Sequence, residues 1–174
     1  MTAQQPFRLI RKFDEVELRH YPDYVLLQVE VEGDFMRAGN VAFGPLISYI
    51  SGANATGTKF AMTAPVIQES TAEKAHLVSF VLPEGVSVTE VPVPRNSKVS
   101  TVAVAAHDAA VLPFSGSWNA ARFERKGAEL MTAVLTAGLQ VQGNHYFARF
   151  DPPWKPGFLK HNEALVHVVQ TGSN

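Results

Sequence analysis

Side chains that could perform acid–base or nucleophilic chemistry are sparse in this sequence. The best candidate is His161-Asn162-Glu163, where an imidazole and a carboxylate stand two residues apart before an apolar stretch. We interpret this run as structural, with Glu163 forming an ion pair with an arginine or lysine. The serines lack the glycine-flanked turn that exposes a nucleophile in Ser–His–Asp hydrolases. The sequence therefore identifies no catalytic residue and favours a protein that is not an enzyme.

The chain contains no cysteine. This absence excludes disulfides, thiolate nucleophiles, Cys-based zinc sites, iron–sulfur clusters and covalent attachment of haem through thioethers. A metal site on a helix needs ligands one turn apart, and neither predicted helix contains a histidine. No Gly-rich loop opens a helix in the manner of a phosphate-binding loop. Any ligand is therefore expected to bind without covalent links.

Length and charge narrow the classes of partner. A chain of 174 residues suits one domain that buries roughly 70 % of its unfolded surface. The net charge is −1 and the basic residues are scattered, so no nucleic-acid partner is expected. No segment approaches the roughly 18 to 20 apolar residues of a membrane span, so no membrane insertion is expected. The N-terminus lacks signal-peptide order, which makes the cytoplasm the expected location.

The first half of the chain is predicted to form a hairpin, a helix and two strands. Alternation of apolar and polar residues predicts hairpin strands with one buried and one wet face, turned at Pro22-Asp23, and it places Glu17, Arg19 and Tyr21 on the wet face of the first strand. In the helix, Phe43, Leu46, Ile47 and Ile50 form an apolar stripe that Gly44-Pro45 interrupts, so a kink or a restart is expected there. The predicted elements are strands 16–21 and 27–32, helix 35–51, and strands 60–67 and 76–82.

The second half repeats this order. It is predicted to contain a hairpin of strands 98–105 and 109–114 turned at His107-Asp108, helix 118–137, and strands 145–150 and 164–170. The helix-flanking glycines repeat at similar separations, with Gly33 and Gly116 83 positions apart and Gly52 and Gly138 86 apart. We interpret the chain as one α+β domain, 1–174, built from two internal repeats at about 14–83 and 97–170.

Two longer phrases carry a family resemblance. The first is YISGANATGTKFAMTAPV, residues 49–66, where a helix stops at Gly52 and a strand follows. The second is ARFDPPWKPGFLKHNE, residues 148–163. Together and in this order they resemble the SOUL haem-binding family. The resemblance covers about residues 7–169. It implies a distorted antiparallel β-barrel with two helices, and reversible, non-covalent binding of haem or another tetrapyrrole for buffering, transport or delivery.

The resemblance also implies a binding site. The family's haem-contacting helix face maps onto Asn40, Phe43, Ile47 and Ser48. The Asp-Pro-Pro phrase maps Phe150 and Lys155 onto the opposite wall and rim. Family members can carry basic residues near the positions of Asn40 and Ser48, so weaker anchoring of the propionates is expected in this sequence.

Two side chains are candidates for binding iron. His20 falls in the apolar register of the first strand, with Val16 and Leu18, where an imidazole needs a partner. It is therefore the predicted axial ligand of a haem. Met62 is the other candidate, although a methionine within a strand most often fills a core.

Two alternatives stay open at this point. The duplicated architecture also occurs in effector-binding modules that hold other amphipathic molecules, and an acidic residue in the pocket, with Glu163 the suspect, would favour cationic ligands. An enzyme acting on a tetrapyrrole is the other alternative, since fold resemblance alone does not decide function.

Overall fold

The computed structural model describes residues 3–72, 74–152 and 154–170. The elements follow one another as β1 (Ala3–Gln4), β2 (Arg8–Phe13), β3 (Val16–Tyr21), β4 (Tyr24–Glu32), α1 (Phe35–Ile50), β5 (Thr63–Ala64), β6 (Val66–Ala72), β7 (Ala75–Val81), β8 (Val99–Val104), β9 (His107–Ser115), α2 (Ala120–Thr136), β10 (Gln140–Arg149), a 3-10 helix (Gly157–Leu159) and β11 (His161–Val169). Within the described residues, neither α1 nor α2 has the length and hydropathy needed to cross a membrane.

The chain divides into two compact units. The first unit is Met1–Pro6 with Asp23–Ala105, and the second is Phe7–Pro22 with Ala106–Asn174. In the first unit an antiparallel sheet has the order β6-β7-β4-β8, and the short strands β1 and β5 pair in parallel. In the second unit the antiparallel order is β2-β3-β9-β11-β10. Each unit carries one helix, so the α+β class with two helices is confirmed.

Two expectations about the sheets are wrong. In the part of the chain that the structure describes, the first and last strands of a sheet do not pair with each other. The closed barrel that the resemblance implies is therefore not formed. The predicted hairpins are also absent from the described pairings, because β3 pairs with β2 and β9, whereas β4 pairs with β7 and β8. His107 and Asp108, predicted as a turn, are the first residues of β9. The chain passes between units at 22–23 and at 105–106, where the hairpin turns were expected.

Helix α1 lies against β4 and β7. Its buried side chains recur at helical spacing: Ala38, Ala42, Leu46, Tyr49 and Ile50. They pack on the inward residues of β4, which include Val25, Leu27, Val29 and Val31. Asp34 caps the N-terminus by accepting from the backbone N–H of Met36 and Arg37, the usual role of an N-cap carboxylate. The helix continues through Pro45, so the restart allowed by the sequence does not occur.

The end of α1 is fixed by one buried amide. The side chain of Asn54 is 0 % exposed, and its Nδ2 donates to the carbonyls of Tyr49, 3.1 Å, and Thr58, 2.8 Å. Its Oδ1 accepts from the backbone N–H of Thr58 at 3.0 Å. Gly52 adopts φ of 115° beside this amide, which confirms the predicted glycine stop. Asn54 therefore joins the last turn of α1 to the loop that leads back to the sheet.

In the second unit, α2 packs through aromatic rings. Phe123 stacks on Phe147 of β10, with ring centroids 5.2 Å apart, and meets Phe114 of β9 edge to face at 5.4 Å. Gly127 lies one turn further along, where a Cβ atom would come within 2.8 Å of the Nε2 atom of His145. The strand beneath α2 is thus in close contact with the helix.

We predict that Asn54→Ala lowers the free energy of unfolding by about 2–4 kcal/mol, because the substitution leaves buried backbone groups without partners. Denaturant unfolding measures this change. The matched control is Asn96→Ala, which removes an exposed side chain that accepts one bond, from the N–H of Lys98. Equal losses in the two variants would contradict the special role of Asn54.

Candidate functional site

The four predicted residues of α1 lie along one side of the helix. Asn40, Phe43, Ile47 and Ser48 are separated by three, four and one residues, a spacing that places them on neighbouring turns. Asn40 and Ser48 are exposed and Ile47 is half-buried. Phe43 is 45 % exposed. This side of α1, which we call the α1 flank, therefore presents an aromatic ring and an aliphatic chain between two small polar groups.

The Phe43 ring of the α1 flank is supported by a buried ring of the sheet. Phe43 meets Phe80 edge to face, with centroids 5.7 Å apart and an interplanar angle of 69°. Phe80 is buried in β7, so it cannot move aside freely. Ile47 also packs against the buried core of the first unit. A half-exposed ring on a rigid base offers a flat apolar surface without the entropic cost of ordering a mobile side chain.

Phe150 and Lys155 belong to the second unit. Phe150 is half-buried, and its ring lies 4.9 Å from that of His161. Lys155 Nζ donates to Asp151 Oδ1 at 2.7 Å. Burial tends to raise the pKa of Asp151, but the hydrogen bonds from Lys155 and from the His161 N–H lower it below the ordinary value. The charge of Lys155 is therefore already paired. Pro153, part of the phrase that suggested this wall, lies outside the described residues.

His20, the predicted iron ligand, also lies in the second unit. Its Nδ1 is 2.8 Å from Asp108 Oδ1, and its side chain is about one-third exposed. Gln170 donates to the other oxygen of Asp108 at 2.9 Å. Burial tends to raise the pKa of Asp108, but the bonds from Gln170 and His20 hold it below the ordinary value. A carboxylate on Nδ1 leaves Nε2 as the nitrogen that would meet a metal.

The strongest polar cluster centres on Arg19 and Glu163, both buried. The guanidinium donates to both oxygens of Glu163 at 2.9 Å, and also to Glu17 and to the Tyr21 hydroxyl. The ring of Phe7 lies 3.9 Å from the guanidinium carbon. The expected pairing of Glu163 with a basic residue is confirmed. The expectation that Arg19 and Tyr21 lie on the wet face of a hairpin is wrong, because this network buries them.

Two further features bear on ligand binding. Among the described residues, no three His, Cys, Asp or Glu side chains stand close enough to hold a metal ion. An open depression of about 480 Å³ lies where β4 and β6 end and β7 begins, lined by Glu32, Gly33, Ala72, Lys74 and Ala75. None of the predicted site residues lines this depression.

A comparison with family models decides the relationship that the two sequence phrases suggested. The model described as SOUL heme-binding protein matches residues 2–167, nearly the whole chain. The chain belongs to the SOUL family. No curated protein matches it.

Solved structures similar to this SOUL chain show how widely the fold is used. The EcmrR C-terminal domain aligns with a TM-score of 0.68 at 14 % identity, covering 88 % of this chain and 96 % of that one. A protein described as a hydrolase from Listeria innocua aligns with a TM-score of 0.56 at 16 % identity, covering 92 % and 94 %. SAV2435 bound to tetraphenylphosphonium gives 0.50 at 10 % identity, covering 90 % and 95 %. At these identities the likeness concerns the fold alone.

The residues that support the SOUL candidate site carry little signal in the sequence. Phe80 lies 37 positions from Phe43, and Asp108 lies 88 positions from His20. Each contact depends on which strands pair and in which register, and the alternation of apolar and polar residues along the sequence does not reveal this. The signals available are weak: Phe80 stands in an apolar run, and Asp108 stands beside another histidine.

The Arg19–Glu163 pair predicts a pH dependence of stability in this SOUL protein. Burial tends to raise the pKa of Glu163, but hydrogen bonds from His161 and Arg19 outweigh it and lower the pKa below the ordinary value of 4.5. A depressed carboxyl pKa stabilises the fold above about pH 4.5, and this contribution is lost as the pH falls through the folded-state pKa.

We predict that Glu163→Gln lowers the free energy of unfolding by about 3–5 kcal/mol at pH 7, because Arg19 stays buried without its partner.

Urea unfolding from pH 7 down to pH 3 measures this dependence. The Glu163→Gln variant should show a shallower loss of stability below pH 5 than the parent chain. Glu17→Gln is the matched control, since Glu17 contacts the same guanidinium from a more exposed position and should cost less. A Glu163→Gln variant as stable as Glu17→Gln would show that Glu163 is not the main partner of Arg19.

Proposed function

We propose that this SOUL protein binds haem or a related tetrapyrrole reversibly, without covalent attachment, on the α1 flank. The family description supports a haem ligand, and the lack of cysteine excludes thioether links. The role is buffering, transport or delivery. A bound haem would supply the redox and ligand-binding chemistry of its iron, while the residues of the chain bind and orient the macrocycle.

The observation that carries the proposal is the half-exposed Phe43 ring, fixed on Phe80 beside Ile47. Tetrapyrroles are wide, flat and apolar over most of their area, and pockets for such ligands are lined mainly by aromatic and aliphatic side chains. Covering a large apolar side chain contributes about 1.5–3 kcal/mol. Contacts of this kind give useful affinity while still allowing release.

The polar groups of the α1 flank fit the edges of the same ligand. Asn40 and Ser48 are exposed on either side of Phe43 and Ile47, so an amide and a hydroxyl can donate to propionate oxygens. Neither is charged, which makes the anchoring weaker than an ion pair. Phe150 and Lys155 remain predictions of the family resemblance.

Axial ligation by His20 stays a separate proposal, because His20 belongs to the second unit and the α1 flank to the first. A histidine that donates Nδ1–H to a carboxylate has a fixed ring orientation and leaves Nε2 for a metal, as metal-binding histidines do. The bond to Asp108 provides that arrangement. Apolar contact nevertheless carries most of the affinity, so loss of His20 should change the spectrum more than the strength of binding.

The effector-module alternative lacks its main support. It requires an acidic side chain available to a cationic ligand, and Glu163 is the residue that the sequence offers for this role. Both Glu163 oxygens accept from Arg19, so this carboxylate is already neutralised. The similar structures of the EcmrR C-terminal domain and of the protein described as a hydrolase support a shared fold and no more.

We predict that Phe43→Asp or Ile47→Asp weakens binding of hemin by at least about tenfold, which corresponds to about 1.4 kcal/mol. The substitutions remove apolar contact and place a negative charge near the propionates. Titration with hemin, followed by the Soret band and by tryptophan quenching, measures the affinity. Iron-free protoporphyrin serves as a parallel ligand.

Leu135→Asp is the matched control, because Leu135 is 69 % exposed on α2 and its replacement should leave the affinity unchanged. His20→Ala should shift the Soret band of the hemin complex while protoporphyrin binding stays constant. Equal affinities in the Phe43→Asp, Ile47→Asp and His20→Ala variants would contradict the placement on the α1 flank. Binding of many equivalents without saturation would contradict a specific site.

A further inference from the structure

Two cationic side chains are buried where β10 ends and β11 begins. Arg149 is 9 % exposed and Lys160 is 7 % exposed. Burial lowers the pKa of Arg149 to about 10, as expected for a cation that lies away from water. Basic side chains almost never lie this deep unless a negative group compensates their charge. Neither the SOUL family description nor the α1 flank accounts for these two cations.

Both cations lie against one aromatic ring. Lys160 Nζ is 3.8 Å from the centre of the Trp118 ring, and the guanidinium carbon of Arg149 is 5.0 Å from it. The buried side chain of Asn162 fixes the indole, because its Oδ1 accepts from Trp118 Nε1 at 3.0 Å and its Nδ2 donates to the Gly116 carbonyl at 3.0 Å. An aromatic face attracts cations, but it has no net charge and leaves their positive charge uncompensated.

The neighbouring carboxylates do not compensate the charge of Lys160. Asp151 pairs with Lys155, and Glu163 pairs with Arg19. In the part of the chain that the structure describes, no oxygen atom accepts a hydrogen bond from Lys160 Nζ. This ammonium is also absent from the enclosed, unpartnered polar atoms of the described residues. It therefore keeps contact with solvent, and an anion can reach it.

The N-terminus of α2 lies beside the same ring. Trp118 directly precedes the N-cap Asn119, whose Oδ1 accepts from the backbone N–H of Arg122 at 3.1 Å. The first turn of α2 contains no acidic residue. The Arg122 guanidinium donates to the Ser117 carbonyl at 2.5 Å, which holds a third cation next to the ring. The partial positive charge of a helix N-terminus adds to these cations in favouring an anion.

We propose that Arg122, Arg149 and Lys160 around Trp118, which we call the Trp118 cluster, bind a phosphate group or a similar doubly charged oxyanion. Several cations in one place favour a dianion over a single carboxylate. Arginine and lysine donate charge-assisted hydrogen bonds to phosphate oxygens, and these bonds are stronger where water is scarce. The Trp118 cluster belongs to the second unit and the α1 flank to the first, so either site can fail while the other binds its ligand.

Tryptophan fluorescence tests the proposal directly. The chain has two tryptophans, Trp118 and Trp154, and Trp154 is exposed. Trp154→Phe therefore leaves Trp118 as the only tryptophan reporter without disturbing the core. Titration of this parent variant with sodium phosphate at pH 7.5 should change the Trp118 emission and saturate, whereas sodium chloride of equal ionic strength should not. Bound phosphate should also raise the midpoint of thermal unfolding.

Lys160→Met in the same background removes the charge and keeps a long apolar side chain. We expect it to weaken phosphate binding about tenfold or more, since a hydrogen bond to a charged group is lost. Urea unfolding in chloride checks that this variant folds. Lys126→Met is the matched control, because it removes the same charge from a lysine of α2 that pairs with Glu129, and it should bind phosphate like the parent variant.

Two results would overturn the proposal. Trp118 emission could respond equally to phosphate and to chloride, which would show that no site exists. The phosphate response could also be equal in the parent and Lys160→Met variants, which would indicate a general salt effect. Glycerol phosphate distinguishes the source of the phosphate: tighter binding than inorganic phosphate would support a site for phosphate esters, and weaker binding would support a site for the free ion.

Discussion

The buried side-chain amide of Asn54 is the constraint on which the proposed site depends. A helix end leaves carbonyl groups without partners, and Asn54 satisfies the carbonyl of Tyr49 while binding both backbone groups of Thr58. The chain then returns toward the sheet, and the N–H of Phe60 donates to the carbonyl of Ile50. These bonds fix the end of α1 relative to its sheet. They therefore hold α1 in place on the sheet, while the buried apolar residues of α1 determine that the α1 flank faces solvent.

In the second unit, the corresponding constraint is a buried ion pair, whereas in the first unit it is the side-chain amide of Asn54. Arg19 and Glu163 join β3 and β11 across 144 positions of sequence, and the aromatic ring of Phe7 covers the guanidinium. A buried ion pair of this kind adds little net stability but makes other arrangements costly, since either charge alone would be unpaired. Here it also removes Glu163 from the set of groups that could attract a cationic ligand. The Arg19–Glu163 contact thus favours one arrangement of β3 and β11 and leaves Glu163 unable to pair with a cationic ligand.

The elements and the family could be predicted from sequence, because both depend on local pattern. Helical spacing located α1 and α2 to within a few residues, and Gly52 marked the helix stop. Strand pairing is not accessible in this way: alternation in β3 and β4 predicted a hairpin, yet β3 pairs with β2 and with the distant β9, and β4 pairs with β7 and β8. Arg19 was expected to face water because nothing in the local pattern reveals its partner on β11. The strand expected over 60–67 is divided at Pro65, and β2 has no clear alternation to mark it as a strand.

The most direct test of tetrapyrrole binding on the α1 flank is to map the ligand on the protein by NMR. Amide chemical shifts would be recorded during titration with zinc protoporphyrin, which is diamagnetic. We expect shifts that saturate near one equivalent and are largest from Asn40 to Ser48, with a smaller response at Phe80 beneath Phe43. Shifts confined to other surfaces, such as the depression lined by Glu32 and Lys74, would contradict binding at the α1 flank.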